Sequence, residues 1–434
     1  MSKKGNKDLS MKRELKTVIL AAGKGTRMKS DTPKVLHEIF NKPLVARVLD
    51  AAISSGSMEN VVVVGHKAEL VEEYISKNYQ STTCALQKEQ LGTGHALKMA
   101  SDKLKGFKGN VLVLCGDTPL IKGETLTSVV KFHNDNNADI TVVSAFFDNP
   151  TGYGRIIRDE NGCVKDVIEE KDASDEIKKI KEVNAGIYCF NWETVACGLD
   201  EIKNNNAQNE YYLTDLIKWG NNCSKKVSPY VLLSEDEIFG INSKTHLAIA
   251  TKMMKERKLN ELMELGVTIV DPTTTYISPE TTIEADTVIL PSVVIEGVNT
   301  IGKNCKIGPF AHLRGDCIIE DNVKIGNFVE LKKATVKSHT NICHLSYVGD
   351  AVVGENVNVG AGTITANYDS RTKKKSKTII ENNVSIGSNA VIVAPVTLGA
   401  KSMIGAGSVI TKDVENNSLA LTRSPQKEIK NYIK

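Results

Sequence analysis

From Val267 onward the chain carries one repeat that leaves few folds open: an aliphatic residue followed by glycine, recurring at a spacing of six. It stands at Ile301-Gly302 and Ile307-Gly308, at Val353-Gly354 and Val359-Gly360, and at Leu398-Gly399 and Ile404-Gly405, with further units at Ile325-Gly326 and Ile386-Gly387. A helical solenoid needs repeats of roughly 20 to 45 residues, and a two-sheet sandwich shows turn signals every ~8–12 residues. The pattern fits a parallel β-helix. Each unit of six makes one face of a triangular coil, with the aliphatic residue inward and the small residue at the corner. Two stretches break the repeat. Leu331-Lys332-Lys333-Ala334 leads to Cys343–Asp350, and Thr365–Asp369 opens a loop through Arg371–Lys377. Insertions in solenoids are where function concentrates.

The first half has another texture. Apolar strands near Val18–Leu20, Val61–Val64, Cys84–Leu86, Val111–Leu114 and Ile140–Phe147 alternate with helical periodicity over 44–53, 68–77, from His95, and over 125–133. That alternation means a mostly parallel sheet covered on both faces, with ligands beyond the carboxyl ends of the strands. The first such end is Leu20-Ala21-Ala22-Gly23-Lys24-Gly25-Thr26-Arg27-Met28, followed by Pro33-Lys34. Glycines let the backbone approach an anion, and Lys24, Arg27 and Lys34 supply charge, which suits a polyphosphate. It has neither Walker nor dinucleotide spacing. The second is Gln87 to Ala96, where Gly92, Thr93 and Gly94 permit close approach and Gln87 offers an amide to a base edge; the plainer reading is a helix-opening turn. The third is Cys115-Gly116-Asp117, where Asp117 suits Mg²⁺ or, more simply, an N-cap. Gly152-Tyr153-Gly154-Arg155-Ile156 is a glycine-flanked strand entry, and Glu169 and Asn184 follow as readers of sugar hydroxyls, or as an ordinary strand end and turn residue. Asn242 brings another oxygen at a chain reversal, or merely opens the next helix. Residues 210–215 are expected to open a helix. Residues 243–265 form a long amphipathic run stopped by Gly266.

Composition narrows the classes. A net charge of +3 on 434 residues excludes a bulk nucleic-acid surface. No apolar run approaches the ~20 residues of a membrane span. Nine scattered cysteines without a C-x-x-C favour free thiols in a reducing, cytoplasmic setting. The lysine-rich start has no apolar core of a secretory signal and reads as a disordered arm. The expected organisation is a basic tail over 1–16, a nucleotide-binding domain over 17–242, a linker helix over 243–266 and the β-helix over 267–434.

The stretches Leu20–Met28 with Pro33-Lys34, Gln87–Gly94, Gly116-Asp117, Gly152–Ile156 and Ile241-Asn242 resemble the sugar-1-phosphate nucleotidyltransferases. Within them the chain is most similar to the bacterial bifunctional N-acetylglucosamine-1-phosphate uridylyltransferase / glucosamine-1-phosphate N-acetyltransferase family. In the second half Asn327–Ala334, His344–Tyr347, Gly360–Asp369 and Arg423–Gln426 resemble the acetyltransferase part of that family, in the same order. The resemblance implies a Rossmann-like α/β domain followed by a left-handed β-helix, the latter forming a homotrimer.

It implies UTP held by Leu20, Ala21, Ala22, Gly23, Lys34, Gln87, Gly92, Thr93, Cys115, Gly116 and Asp117, and the sugar by Gly154, Glu169 and Asn184. Mg²⁺ would sit on Asp117 and Asn242, with Arg27 and Lys34 catalytic. His344 becomes the base that deprotonates an amino sugar, although a single histidine is more often structural. Arg314, Lys332, Tyr347 and Asn358 would take the amino-sugar phosphate. Ala361, Asn367, Tyr368, Ser388, Ala406 and Arg423 would take acetyl-CoA, and Tyr347, Asn367 and Tyr368 are expected to fix His344 and the amino sugar. Departures from the family are His312 where arginine is usual, a longer 371–377 loop, and a shorter run between Asp271 and Ile307. Two rivals follow: a monofunctional nucleotidyltransferase with a structural β-helix, and a non-catalytic assembly protein built on the same two modules.

Overall fold

The computed structural model describes residues 13–430 and Tyr432. The arm expected over 1–16 falls mostly on residues 1–12, outside the described residues. The first strand already begins at Leu15, whose side chain is buried. The chain divides into two compact units, one ending at Ala250 and the other starting at Thr251, within the helix Lys244–Glu264.

In the first unit the strand Leu15–Leu20 lies at the centre of the sheet, parallel to Glu59–Val64 on one side and Asn110–Cys115 on the other. Thr82–Leu86 extends the sheet in parallel beyond Glu59–Val64. Val61, Val62, Val63 and Val64 are all buried, as is every residue of Asn110–Leu114. Burial on both faces explains these unbroken apolar runs. The strand Glu182–Asn191 runs antiparallel between Asn110–Cys115 and Ile140–Phe146, so the sheet is mixed but mostly parallel. The carboxyl ends of four neighbouring parallel strands therefore share one edge, and the loops starting at Ala21, Gly65, Gln87 and Gly116 open there.

The helix expected from Glu210 starts instead at Asp215. The preceding residues are tied to the glycine loop: Tyr211 N donates to Leu91 O at 2.7 Å, and Gly94 N donates to Tyr211 O at 2.8 Å. Tertiary hydrogen bonds have taken backbone groups that a first helical turn would need.

The second unit is a parallel β-helix of the left-handed hexapeptide class. Ile289 pairs with Ile307 and Ile307 with Ile325, a coil of three six-residue faces. The step from Ile325 to Ile342 and from Ile342 to Val359 is one residue shorter. Val359 next pairs with Ile386, because the intervening coil carries the hairpin of Tyr368–Asp369 with Lys374–Lys375. Stacked isoleucines, leucines and valines fill the interior. Truncating one, as in Ile307→Ala, would cost about 2–5 kcal/mol.

The corners need left-handed backbone. Asp286, Asn304, Asn322, Asn356, Asn383 and Asn417 all have φ between 54° and 63°. Asparagine and aspartate tolerate that region best after glycine, which explains the asparagine two residues after glycine in Ile301-Gly302-Lys303-Asn304 and Val353-Gly354-Glu355-Asn356. The last turns of the long helix close the first coil. Leu259 and Leu262 join the core, and Lys255 Nζ donates to Pro272 O at 3.2 Å and Thr273 O at 2.8 Å.

Candidate functional site

At the carboxyl edge of the first sheet, Ala21 N donates to Val63 O at 2.9 Å, which fixes where the chain leaves the strand. Gly25 has φ +58°, and a Cβ there would lie 2.7 Å from Lys34 Cβ. Glycine lets the Pro33–Leu36 turn fold back onto the loop. At Gly23 a Cβ would meet nothing within 4 Å, so packing alone does not demand glycine there.

Lys34 Nζ donates to the Asp117 carboxylate and, at 3.3 Å, to Asn242 Oδ1. Ile241 N donates to Asp117 O at 2.9 Å and locks the two segments in register. Three residues far apart in sequence thus place two oxygen donors and one ammonium together. Among the described residues there is no cluster of three or more histidine, cysteine or acidic side chains able to hold a metal. One carboxylate plus one amide oxygen is the sparse donor set that Mg²⁺ uses when substrate phosphates complete its shell. Arg27, exposed in the turn Thr26–Met28, has no hydrogen bond or ion pair to this cluster among the described residues.

The second loop is braced from inside. Gln87 is buried; its Nε2 donates to Gly92 O at 3.1 Å and lies 3.0 Å from His95 Nδ1. Gly92 has φ +110°, and a Cβ there would fall 2.6 Å from Tyr211 O. Thr93 Oγ1 accepts from Leu213 N at 3.0 Å. The glycines serve close packing against 210–213 as well as openness above. Gly116 N donates to Leu20 O at 2.9 Å. Burial first, then the Asp117 charge, pushes the Cys115 thiol up to about 12, so it stays neutral.

Gly154, Glu169 and Asn184 do come together. Asn184 N donates to Gly154 O at 2.9 Å, and a Cβ on Gly154 would sit 3.3 Å from Glu169 Oε2. Asn184 Nδ2 donates to Tyr188 Oη at 2.7 Å, and its Oδ1 accepts from Gly186 N at 3.1 Å, which sets it at a bulge. Burial raises the Glu169 carboxyl; Thr214 opposes this and nearby Asp172 adds to it. Arg155 had no assigned role in the sequence. It is wholly buried, pairs with Glu170 at 2.8 Å, and donates to Tyr153 O and, at 3.3 Å, to Lys178 O. It holds the strand that follows Gly154.

On the β-helix, His344 and Asn327 occupy paired positions on successive coils. His344 Nδ1 lies 2.9 Å from Asn327 Oδ1. The acceptor oxygen places the proton on Nδ1 and leaves Nε2 as the basic nitrogen. This corrects the expectation that Tyr347, Asn367 and Tyr368 fix the histidine. Instead Asn367 Nδ2 donates to Tyr347 Oη at 3.4 Å and to the Asp350 carboxylate, while Lys375 Nζ lies 3.9 Å from Asp350. Tyr368 is exposed in the hairpin. Tyr347 and Asn367 meet across Gly349, where a Cβ would fall 2.2 Å from Tyr347 Oη. Arg314 Nη1 donates to Glu330 Oε1 at 2.8 Å, and Glu330 and Lys332 pair in register with Tyr347 and Gly349. His312, the unusual residue, lies 3.5 Å from Glu296.

Asn358 is exposed on the coil after Asn341 and has no hydrogen bond to His344. Ala361, Ser388 and Ala406 stack as a column of turns: Asn389 N donates to Ala361 O at 2.7 Å, Gly407 N to Ser388 O at 2.8 Å, and Arg423 Nη1 to Ala406 O at 2.9 Å. Asn327, Glu330 and Asp350 were missed as partners. Only the coil register reveals them, since each lies 17 residues or so from its contact.

Together these features define a nucleotidyltransferase module joined to a hexapeptide-repeat transferase module. Known protein families match accordingly. The nucleotidyl transferase family covers residues 16–226, and the bacterial transferase hexapeptide (six repeats) family covers 300–333 and 377–412. Bifunctional protein GlmU of Caldanaerobacter subterraneus subsp. tengcongensis is 46% identical, over 97% of this chain and 98% of its own length. Bifunctional protein GlmU of Carboxydothermus hydrogenoformans is 44% identical over 96% and 99%, and that of Halalkalibacterium halodurans 42% over 96% and 98%. The chain belongs to the bifunctional protein GlmU family, and it is an enzyme with both transferase modules.

Proposed function

We propose that the chain makes UDP-N-acetylglucosamine for cell-wall precursors in two steps. The β-helix moves an acetyl group from acetyl-CoA to glucosamine-1-phosphate, and the α/β unit then joins the product to UTP with release of pyrophosphate. The single observation that carries this reading is the presence of two separate sites on one chain: the Lys34–Asp117–Asn242 cluster and the His344–Asn327 pair.

In the first step the glucosamine ammonium gives a proton to His344 Nε2. The freed amine attacks the thioester carbonyl, the C–N bond forms as the C–S bond breaks, and the surplus proton of that nitrogen passes to the coenzyme A thiolate. Arg314 and Lys332 suit the sugar phosphate, and Tyr347 and Asn358 the amino sugar. Asn367, Tyr368, the turn column of Ala361, Ser388 and Ala406, and Arg423 suit acetyl-CoA. In the second step no general base is needed. The sugar phosphate has a second pKa of about 6 and is ionised at neutral pH. Its oxygen attacks the α-phosphorus of UTP, and pyrophosphate leaves. Lys34 and Arg27 align and neutralise the phosphates, while Leu20 to Gly23, Gln87, Gly92, Thr93, Cys115 and Gly116 cradle the nucleotide. Gly154, Glu169 and Asn184 read the sugar. Asp117 and Asn242 would hold Mg²⁺, which supplies positive charge to the phosphates when bound.

The matches across both halves favour this bifunctional reading over either rival. The hexapeptide β-helix supports a homotrimer, and free thiols at all nine cysteines suit the cytoplasm. Among the described residues no helix is long and apolar enough to cross a membrane. The test is a pair of variants with two readouts. His344→Ala should abolish thiol release from acetyl-CoA and spare pyrophosphate release. Asp117→Ala should do the reverse. Either variant losing neither activity would refute the assignment.

A further inference from the structure

His37 is an expensive residue at its position. Its backbone N donates to Lys34 O at 3.2 Å and its carbonyl accepts from Leu44 N at 2.9 Å, so it closes the turn that carries Lys34. Its ring is buried, with Nδ1 3.1 Å from Lys244 Nζ. A lysine ammonium can only donate, so Nδ1 is the acceptor and the proton sits on Nε2. That Nε2 is itself buried and has no hydrogen-bond partner among the described residues. A leucine would fill the site without an unpaired N–H, so packing alone would favour leucine.

The contact made at that cost closes a ring. Lys34 Nζ bonds Asn242 Oδ1, Asn242 lies two residues before Lys244, Lys244 Nζ bonds His37, and His37 bonds back to Lys34 through the main chain. The segment bearing Asn242 is also held by the Ile241–Asp117 backbone bond and by His246 Nδ1, 3.2 Å from Gly240 O, but of these ties only the Lys244–His37 contact joins it to the turn that carries Lys34 from the helix side. We propose that His37 is a positioning residue for uridylyl transfer: through Lys244 it holds the segment bearing Asn242 against the Lys34 turn, so that Asn242 and Asp117 stay in register as oxygen donors. This rests on the reading of those two residues as the Mg²⁺ site.

The test needs no turnover. Full-length protein is titrated with Mn²⁺ in the presence of UTP, without sugar phosphate, and free Mn²⁺ is read by electron paramagnetic resonance. His37→Leu should weaken Mn²⁺ binding about two- to fivefold, because the bond lost comes from Lys244, which is exposed to solvent. Its melting temperature should stay level or rise, because the orphaned N–H is gone. Lys244→Met should weaken binding by the same factor, and the double variant no further, since both remove one link. His37→Gln, whose Oε1 can accept from Lys244, should restore most of the affinity. Unchanged Mn²⁺ affinity in His37→Leu, additive effects in the double variant, or a fall in affinity matched by a fall in melting temperature would overturn the proposal. Asp117→Ala separates the two readings. If it too leaves Mn²⁺ binding intact, the metal site itself is wrong; if it abolishes binding while His37→Leu does not, only the role of His37 fails.

Discussion

The hydrogen bond from His344 Nδ1 to Asn327 Oδ1 is the contact on which acetyl transfer most depends in this account. Asn327→Leu keeps the side-chain size and removes the acceptor. A neutral hydrogen bond of this kind contributes about 1 kcal/mol net, so its loss should cut the ratio of Nδ1–H to Nε2–H imidazole roughly fivefold, and the Nδ1–H fraction by up to that factor. The acetyl-transfer kcat should drop about two- to fivefold. His344 is exposed, so folding stability should change by no more than about 0.5 kcal/mol. Asn327→Asp gives a second, directional outcome. A carboxylate beside the ring favours the imidazolium, the form that cannot accept a proton. Acetyl transfer should therefore be slower in Asn327→Asp than in the wild type. The assay is thiol release from acetyl-CoA with glucosamine-1-phosphate across a pH series, with uridylyl transfer as the internal control. An Asn327→Leu enzyme with unchanged kcat, or an Asn327→Asp enzyme faster than the wild type, would refute the reasoning.

Other substitutions probe separate parts of the structure. In Gly349→Ala the new Cβ would lie 2.2 Å from Tyr347 Oη and 2.9 Å from Asn367 Nδ2. Displacing both should slow acetyl transfer about 10- to 100-fold and leave pyrophosphate release alone. Burial, then the neighbouring Asp166, raises Asp215 from 3.8 to about 6. The folded state therefore holds that proton across the window from 3.8 to about 6 while the unfolded chain releases it, and the cost of the buried carboxylate is complete above the window. Asp215→Asn should raise the melting temperature at pH 8 and do little at pH 4, as scanning calorimetry would show; an equal gain at both pH values would contradict the shift.

Much of the architecture was legible because it rests on periodicity. The aliphatic–glycine units at 301, 307, 325, 386 and 404 land in the β-helix interior with their aliphatic side chains buried. The valines at 61–64 form the buried parallel strand they resemble. What stayed hidden depends on register and on local competition for hydrogen bonds. Residues 210–214 have helical neighbours, yet Tyr211 gives both its backbone groups to the glycine loop. Asn327 and His344 are neighbours only because the coil between them is one residue short, and a repeat pattern does not show which coil is shortened. Lys34 was read as a phosphate cation, and its contact with Asp117 and Asn242 spans 83 and 208 residues of chain. Arg155 sits wholly inside the protein, which its charge argues against until Glu170 and two carbonyls are seen around it.

The central claim is that one chain performs both transfers in a fixed order. The most direct measurement supplies wild-type enzyme with glucosamine-1-phosphate, UTP and Mg²⁺, and follows pyrophosphate before and after acetyl-CoA is added. The account predicts no pyrophosphate at first. On addition of acetyl-CoA, thiol should appear at once and pyrophosphate after a lag. Pyrophosphate release from glucosamine-1-phosphate without acetyl-CoA, or pyrophosphate appearing with no thiol, would contradict it.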